Sequence, residues 1–482
     1  MKSISLLLAL YLFQPAALAY IWPNPPIDGL EDAYTISSGF GALGIVDDVT
    51  PCTLGPAGSG RQTSAEWLRT AYHDMATYDS ATGLGGLDAS IGFETNRPEN
   101  IGTAFNTTMS FFNVIQTNHM SCECVILAIK NCGGPSIPFR PGCIDATEAG
   151  PSGVPQPTES LETHIHHEFA RQGFNATEMI GLVACGHTLG GVHQVDFLSI
   201  VANAITPENQ EGVVHFDDTS GVYDNHIAVQ YFNGSSVDPL VINSNSDAAI
   251  FGSDGNQTMR EFAQDSEFYI SRCGELLERM LNTVPSSVKL GDVIEPLPVK
   301  PYDMNLFFNA TGGLQFSGFI RIFGTSDEAA AANPLDMPVR LVWLDRHGGS
   351  STSYTTPAVS AEFMAATSLF GSLQFFQFVD VDIDPSLGIS SFVVEWAYDQ
   401  QSALTTANNG GAGFPYQDVI LFQTKGSCHG AVDKNSTINA VVSTSLNKIL
   451  IINTHPFRFG TTWAPSPMYM WTTASRRRNK AR

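Results

Sequence analysis

Glu66-Trp67-Leu68-Arg69-Thr70-Ala71-Tyr72-His73-Asp74 is the stretch on which the reading of this chain turns. Its apolar residues recur at three and four, as a helix requires. Arg69 and His73 are four apart on that helix, so their side chains share a face. A guanidinium and an imidazole at one spot suit peroxide chemistry. The imidazole can take a proton from one oxygen and deliver it to the other. The guanidinium can stabilise the negative charge that develops as the O–O bond breaks. A second stretch, Leu182-Val183-Ala184-Cys185-Gly186-His187-Thr188-Leu189-Gly190-Gly191, reads as an apolar helix ending in glycines. It leaves His187 at a buried helix end, a suitable place for an axial haem ligand.

Outward from these stretches the helical period continues from about Ser64 to Met280, through Cys124–Lys130, Leu161–Arg171, Thr177–Cys185 and Glu261–Met280. After Leu281 the texture changes. Val284-Pro285-Ser286-Ser287 and Pro296-Leu297-Pro298 punctuate an expected linker. Period-two, β-branched runs follow at 314–323, 339–344, 373–383, 392–398, 419–422 and 449–452. Such strands, separated by turn residues, predict an all-β, sandwich-like or barrel region. The expected organisation is a segment 1–19, a mainly α domain at 20–290, a β-rich domain at 291–470 and a basic disordered tail at 471–482.

The chain has 482 residues and a formal charge of −23, which repels phosphate backbones, so nucleic acid is not an expected partner. With 43% hydrophobic and 15% charged residues, wholesale disorder is excluded. Lys2, the apolar run from Ile4 to Phe13 and Ala17-Leu18-Ala19 form a secretory signal pattern, too short to span a bilayer. Sequons at Asn106, Asn175, Asn233, Asn256, Asn309 and Asn435 fit a secreted glycoprotein. Gly39-Phe40-Gly41-Ala42-Leu43-Gly44 fits a dinucleotide pattern, but no strand precedes it, and a glycine-rich turn is the better reading. His164, His166 and His167 read as a surface cluster rather than a metal site.

Taken together these residues resemble the plant-type haem peroxidases, in the style of the secreted fungal members, over about Glu66 to Met280. The resemblance implies non-covalent haem b, H2O2 and small organic reductants, phenols among them. It makes Arg69 and His73 the catalytic pair, with Tyr72 at the family's distal aromatic position. It makes Asn100, supported by Glu94, the residue that orients His73. His187 matches the iron ligand, Asp247 the carboxylate that accepts its N–H, and Phe216 a proximal aromatic. Because Phe216 is not Trp, a tryptophan radical at that place is not implied.

The resemblance also implies two calcium ions: a distal one at Asp74, Gly86, Asp88 and Ser90, and a proximal one at Thr188, Asp217, Thr219, Val222 and Asp224. The positions that bind manganese in one branch read Gln62, Glu66 and His193, so efficient Mn²⁺ oxidation is not expected. Leu182 stands where the lignin-oxidising branch carries a surface Trp. Cys52 with Cys132 resembles one family bridge, Cys185 is read as free, and the other pairings stay open. The expected activity is that of a secreted haem peroxidase. The rival is a secreted polysaccharide- or surface-binding protein whose helical domain is inactive, with cell-wall or plant polysaccharide as the candidate partner of the β region.

Overall fold

The computed structural model describes residues 20–114, 122–242, 246–309, 311–356 and 364–418, with short strand segments between 420 and 458. The expected signal segment 1–19 and tail 471–482 lie outside the described residues. A helical domain is followed by a region of antiparallel sheets, and no described helix is long and apolar enough to cross a membrane.

The Thr63–Met75 helix runs through the middle of the first domain. It buries Trp67, Leu68, Ala71 and Met75 in the same core as Phe105 of the Ala104–Val114 helix and Leu127 of the Cys122–Asn131 helix. The Ala176–Gly186 helix starts at a reciprocal cap. Asn175 Oδ1 accepts from the Glu178 N–H at 3.0 Å, and Glu178 Oε2 accepts from the Asn175 N–H at 2.9 Å.

Two readings of the helices are corrected. The run 261–280 is two helices, Gln257–Gln264 and Ser266–Leu281. Asp265 breaks it, because its carboxylate caps the Phe268 N–H at 2.9 Å and starts a new helix. Cys185 is not free: it is bonded to Cys273 on the Ser266–Leu281 helix. That partner is 88 residues away, a separation that spacing alone does not reveal. Cys52–Cys132 forms as the resemblance implies.

In the second region one sheet has the order Val299–Phe308, Leu314–Gly324, Ser372–Ile383. A second has the order Thr405–Ala407, Ser391–Trp396, Val339–Leu344, Ser350–Thr356, with Phe414–Pro415 also on Ser391–Trp396. Phe316, Ile320, Phe376 and Phe378 of the first share a core with Val339, Leu341, Trp343, Phe392 and Val394 of the second, so the two form a sandwich. The first sheet is buried on its other face too, where Phe319, Phe323, Leu373 and Phe375 meet Ile36 and Phe40. Burial on both faces is why the alternation of 314–317 gives way to the apolar pairs Phe319-Ile320 and Ile322-Phe323.

The strand Val299–Phe308 was not among the expected ones. Its register shifts between Tyr302 and Asn305, and Asp303 takes φ 48°, so the period of two is interrupted. Pro301 is tolerated because this is an edge strand.

Residues 22–39 serve both domains. Trp22 is buried in the sandwich core, where Asn409 accepts its N–H at 2.9 Å and donates to its carbonyl at 2.7 Å. Ser38–Gly39 pairs with Ala366–Thr367. Gly39 has φ 84°, and a Cβ there would sit 1.9 Å from the Ala365 carbonyl oxygen, so the Gly39–Gly44 run is a turn built for close approach. On the Pro25–Thr35 helix, fully buried Glu31 pairs with Lys300 at 2.8 Å and with Arg321, and accepts the Leu297 N–H at 3.0 Å. Burial alone would raise the Glu31 carboxyl, but the Arg321 and Lys300 charges hold it down to about 2.

Candidate active site

A cavity of about 1520 Å³, its open mouth included, separates His73 from His187. Leu68, Phe169, Leu189, Phe216 and Ile250 give it apolar walls. His73 sits near the end of the Thr63–Met75 helix and is buried. Its Nδ1 lies 2.8 Å from Asn100 Oδ1. An amide oxygen can only accept, so the proton is on Nδ1 and Nε2 keeps its lone pair. Burial, with the Arg69 charge beside it, holds His73 down to about 3 against the Asn100 hydrogen bond. It is a neutral base at neutral pH. Burial pulls the Arg69 guanidinium down to about 10, so it stays charged there. Arg69 donates to the Ile101 carbonyl at 2.9 Å and lies over the Phe105 ring at 4.7 Å. Tyr72 shares the wall with Phe169.

Glu94 supports Asn100 in a way the sequence did not specify. The Asn100 amide donates to the Glu94 backbone carbonyl at 3.0 Å. The Glu94 carboxylate points elsewhere, accepting the Gly150 N–H at 2.6 Å and pairing with Arg97 at 3.0 Å. It pins the 150-loop rather than the amide.

On the opposite side His187 follows the last turn of the Ala176–Gly186 helix. Its Nδ1 is 2.5 Å from Asp247 Oδ2, and its ring stacks on Phe216 at 4.1 Å with planes 8° apart. Asp247 is 1% exposed, whereas the His187 side chain is 30% exposed to the cavity. One ring nitrogen is therefore engaged and the other is left for an occupant. A free axial nitrogen, a neutral distal base and flat apolar walls fit a haem.

The two expected calcium turns differ. At the proximal turn Thr219 bridges Asp217 Oδ1 and Asp224 Oδ1 at 3.3 and 3.0 Å, and Thr188 donates to the Asp224 carbonyl at 2.7 Å. Val222 closes the turn with its N–H on the Thr219 carbonyl at 2.8 Å. Asp217 Oδ2 is buried without a partner, and burial beside Asp224 pushes Asp217 up to about 6. An orphaned carboxylate oxygen among hard donors fits a dication. At the distal turn Asp74 is already saturated. It accepts the N–H groups of Asp88, Ala89 and Ile91 at 2.7–2.8 Å and the Ser90 hydroxyl at 3.4 Å, while Gly86 donates to Thr77.

Arg61, Asp196 and Glu211, beside the named positions Gln62, Glu66 and His193, were missed. Arg61 is buried and pairs with Glu66 at 3.0 Å, with Asp196 at 3.3 Å and with Glu211. His193 lies 3.5 Å from Glu211. Gln62 instead ties the backbone, donating to Cys52 and Ser220 carbonyls at 2.9 Å and accepting from Gly190. A guanidinium thus neutralises the acidic group beside Glu66, and its carboxylate partners came from sequence positions far apart. Leu182 is buried, not on the surface. The histidine cluster is also corrected. His166 and His167 are exposed, but His164 is buried in the cavity wall, because 164–168 is a wider helical turn that rotates the three apart.

Residues 56–265 match the family model described as "Peroxidase". A "WSC domain-containing protein" of Arthroderma benhamiae is 40% identical over 344 residues, covering 68% of this chain and 46% of its own. That alignment is longer than the matched segment, so it runs beyond the helical domain. "L-ascorbate peroxidase 5, peroxisomal" of Arabidopsis thaliana is 34% identical over 145 residues, 28% of this chain and 50% of its own. A mitochondrial cytochrome c peroxidase of Emericella nidulans is 34% identical over 137 residues, 26% and 37%. The chain spans half or less of the length of these relatives. The helical segment, with a histidine on each side of one cavity, is a domain of the plant-type haem peroxidase superfamily.

Proposed function

We propose that the protein is a haem-dependent peroxidase that reduces H2O2 and oxidises small organic donors, phenols among them, in one-electron steps. The observation that carries this reading is the opposed pair. His73 is kept neutral by burial and the Arg69 charge, with an amide fixing the proton on its Nδ1, and His187 is held by a carboxylate across one cavity. Haem, when bound, supplies the redox chemistry and a metal site for peroxide. His187 would hold it through the ring nitrogen that Asp247 leaves free, and Phe216 would fix the plane of that ring. His73 Nε2 takes the proton from the nearer peroxide oxygen and returns it to the farther one, which leaves as water. Asn100 keeps Nδ1 protonated throughout, so Nε2 alone does the transfer. The Arg69 cation lies on the same helix face and favours heterolysis by stabilising the negative charge on the departing oxygen.

A calcium ion at the proximal turn belongs to this reading, supported by the orphaned Asp217 Oδ2. The distal turn takes one only by drawing Asp74 away from its amide donors. Export is also part of the proposal. The apolar run after Lys2 and two disulfides in the helical domain suit an oxidising compartment. The β-sandwich is where a polysaccharide or surface partner would attach. Purified protein loaded with haem should oxidise a phenolic dye only when peroxide is added. A histidine-ligated haem protein with no peroxide-dependent turnover, bound instead to wall polymers, would favour the rival reading.

A further inference from the structure

Outside the cavity and outside both disulfides, two cysteine side chains meet. Cys122 is the first residue of the Cys122–Asn131 helix and is buried. Cys143 is half-buried in the loop that follows Pro141 and Gly142. Their sulfurs are 3.3 Å apart. The loop's anchors build this encounter. On one side of Cys143 the Pro141 carbonyl accepts the Gly291 N–H at 2.8 Å, and on the other the Asp88 carbonyl accepts the Ala146 N–H at 2.7 Å. Farther along, the Glu94 carboxylate accepts the Gly150 N–H at 2.6 Å. Cys143 is thus held against the helix rather than swinging past it.

A disulfide needs its sulfurs about 2.0 Å apart, so closing this pair asks for a movement of only about 1.3 Å. We propose that Cys122 and Cys143 are an oxidation site for hydroperoxides: a dithiol that peroxide closes into a further disulfide and that a thiol reductant reopens. The site does not depend on haem. Exposure sets the order of events. Solvent reaches Cys143, so its sulfur attacks one oxygen of H2O2. The O–O bond breaks, the other oxygen leaves as water with the thiol proton, and Cys143 becomes a sulfenic acid. The Cys122 sulfur then attacks the Cys143 sulfur. The S–S bond forms, the S–O bond breaks, and the hydroxyl leaves with the Cys122 proton as a second water. Two sulfurs have given two electrons to one O–O bond. The contact with Cys122 also holds the Cys143 thiol below the usual thiol range, which raises its thiolate fraction. The consequence reaches the distal side. The loop that the bond fastens holds Asp88 through Ala146 and Glu94 through Gly150. The Glu94 carbonyl in turn accepts the amide of Asn100, the partner of His73. Closing the pair stiffens the backbone on which that partner rests.

The test uses the full chain without haem, so its outcome is separate from that of the peroxidase reading. Brief native-state treatment with dithiothreitol, followed by alkylation, should label Cys122 and Cys143 and leave the buried Cys52–Cys132 and Cys185–Cys273 bridges closed. Once the reductant is removed, an equimolar amount of H2O2 should abolish both labels together. Peptide mapping should then find the peptides of Cys122 and Cys143 joined, two hydrogens lighter than the separate thiols. Cys122→Ser should stop at a sulfenic acid on Cys143, trapped by dimedone, and Cys143→Ser should leave Cys122 open to alkylation. In the wild type, the amides of Ala146 and Gly150 should exchange with deuterium about tenfold more slowly in the closed form than in the reduced one. Both cysteines still labelled after peroxide, or either one joined to a different cysteine, would overturn the proposal. So would loss of the Cys122 label in Cys143→Ser at the wild-type rate, and so would equal exchange in the two forms.

Discussion

His73 and His187 are the same residue on opposite walls of one cavity, yet the fold gives them opposite characters. His73 leans on an amide at 2.8 Å, and His187 on a carboxylate at 2.5 Å. An amide carries no charge to offset an imidazolium, so burial and the Arg69 cation keep His73 neutral, with Nε2 free to accept. A carboxylate enriches the ring with negative charge and makes it a stronger ligand. The lesson is that the partner on Nδ1, not the histidine, sets the task of Nε2.

His187→Ala attacks one side outright. Loss of the axial ligand should abolish histidine-ligated iron, seen as a displaced Soret band and haem that separates from the protein on gel filtration. His73→Leu attacks the other, and peroxide reaction should slow by roughly 10²–10⁴-fold, the loss expected for a general acid–base, while haem stays bound. Asn100→Asp blurs the contrast by giving the distal ring a carboxylate. The opposite charge should raise the His73 pKa by about 1–3 units. The acid limb of the peroxide rate, read by stopped flow, should move up in pH accordingly. In the native protein that rate should stay flat from neutral pH downward and fall as His73 takes a proton near pH 3. The same depression makes the fold less stable as pH drops below the ordinary histidine value of 6.5, because the unfolded ring binds a proton that the folded one refuses.

Glu31→Gln sharpens the comparison from outside the site. It leaves Arg321 and Lys300, two buried cations, to share Asp32 at 2.8 and 2.9 Å and should cost up to about 3–5 kcal/mol in denaturant unfolding, while the Soret band is unmoved. The sign with pH is fixed by its low folded value: the stability Glu31 contributes is present above the ordinary glutamate range and is lost as pH falls toward about 2.

Much of this was legible in the sequence because it is local. Arg69 and His73 share a helix face by spacing, and the strand 339–344 declares itself by residue type. What was not legible depends on long-range packing. The Asp265 cap splits a run that is helical by period on both sides. Arg61 gathers acids from positions 66, 196 and 211, and Cys185 finds Cys273 across two helices. The bulge near Asp303 hid an edge strand.

Stopped-flow mixing of the haem-loaded protein with H2O2, native against His73→Leu at neutral pH, reads most directly the claim that the unbound histidine moves the proton. The structure predicts a fast second-order reaction in the native protein and one slower by about two orders of magnitude or more in the variant. Equal rates in the two would contradict it.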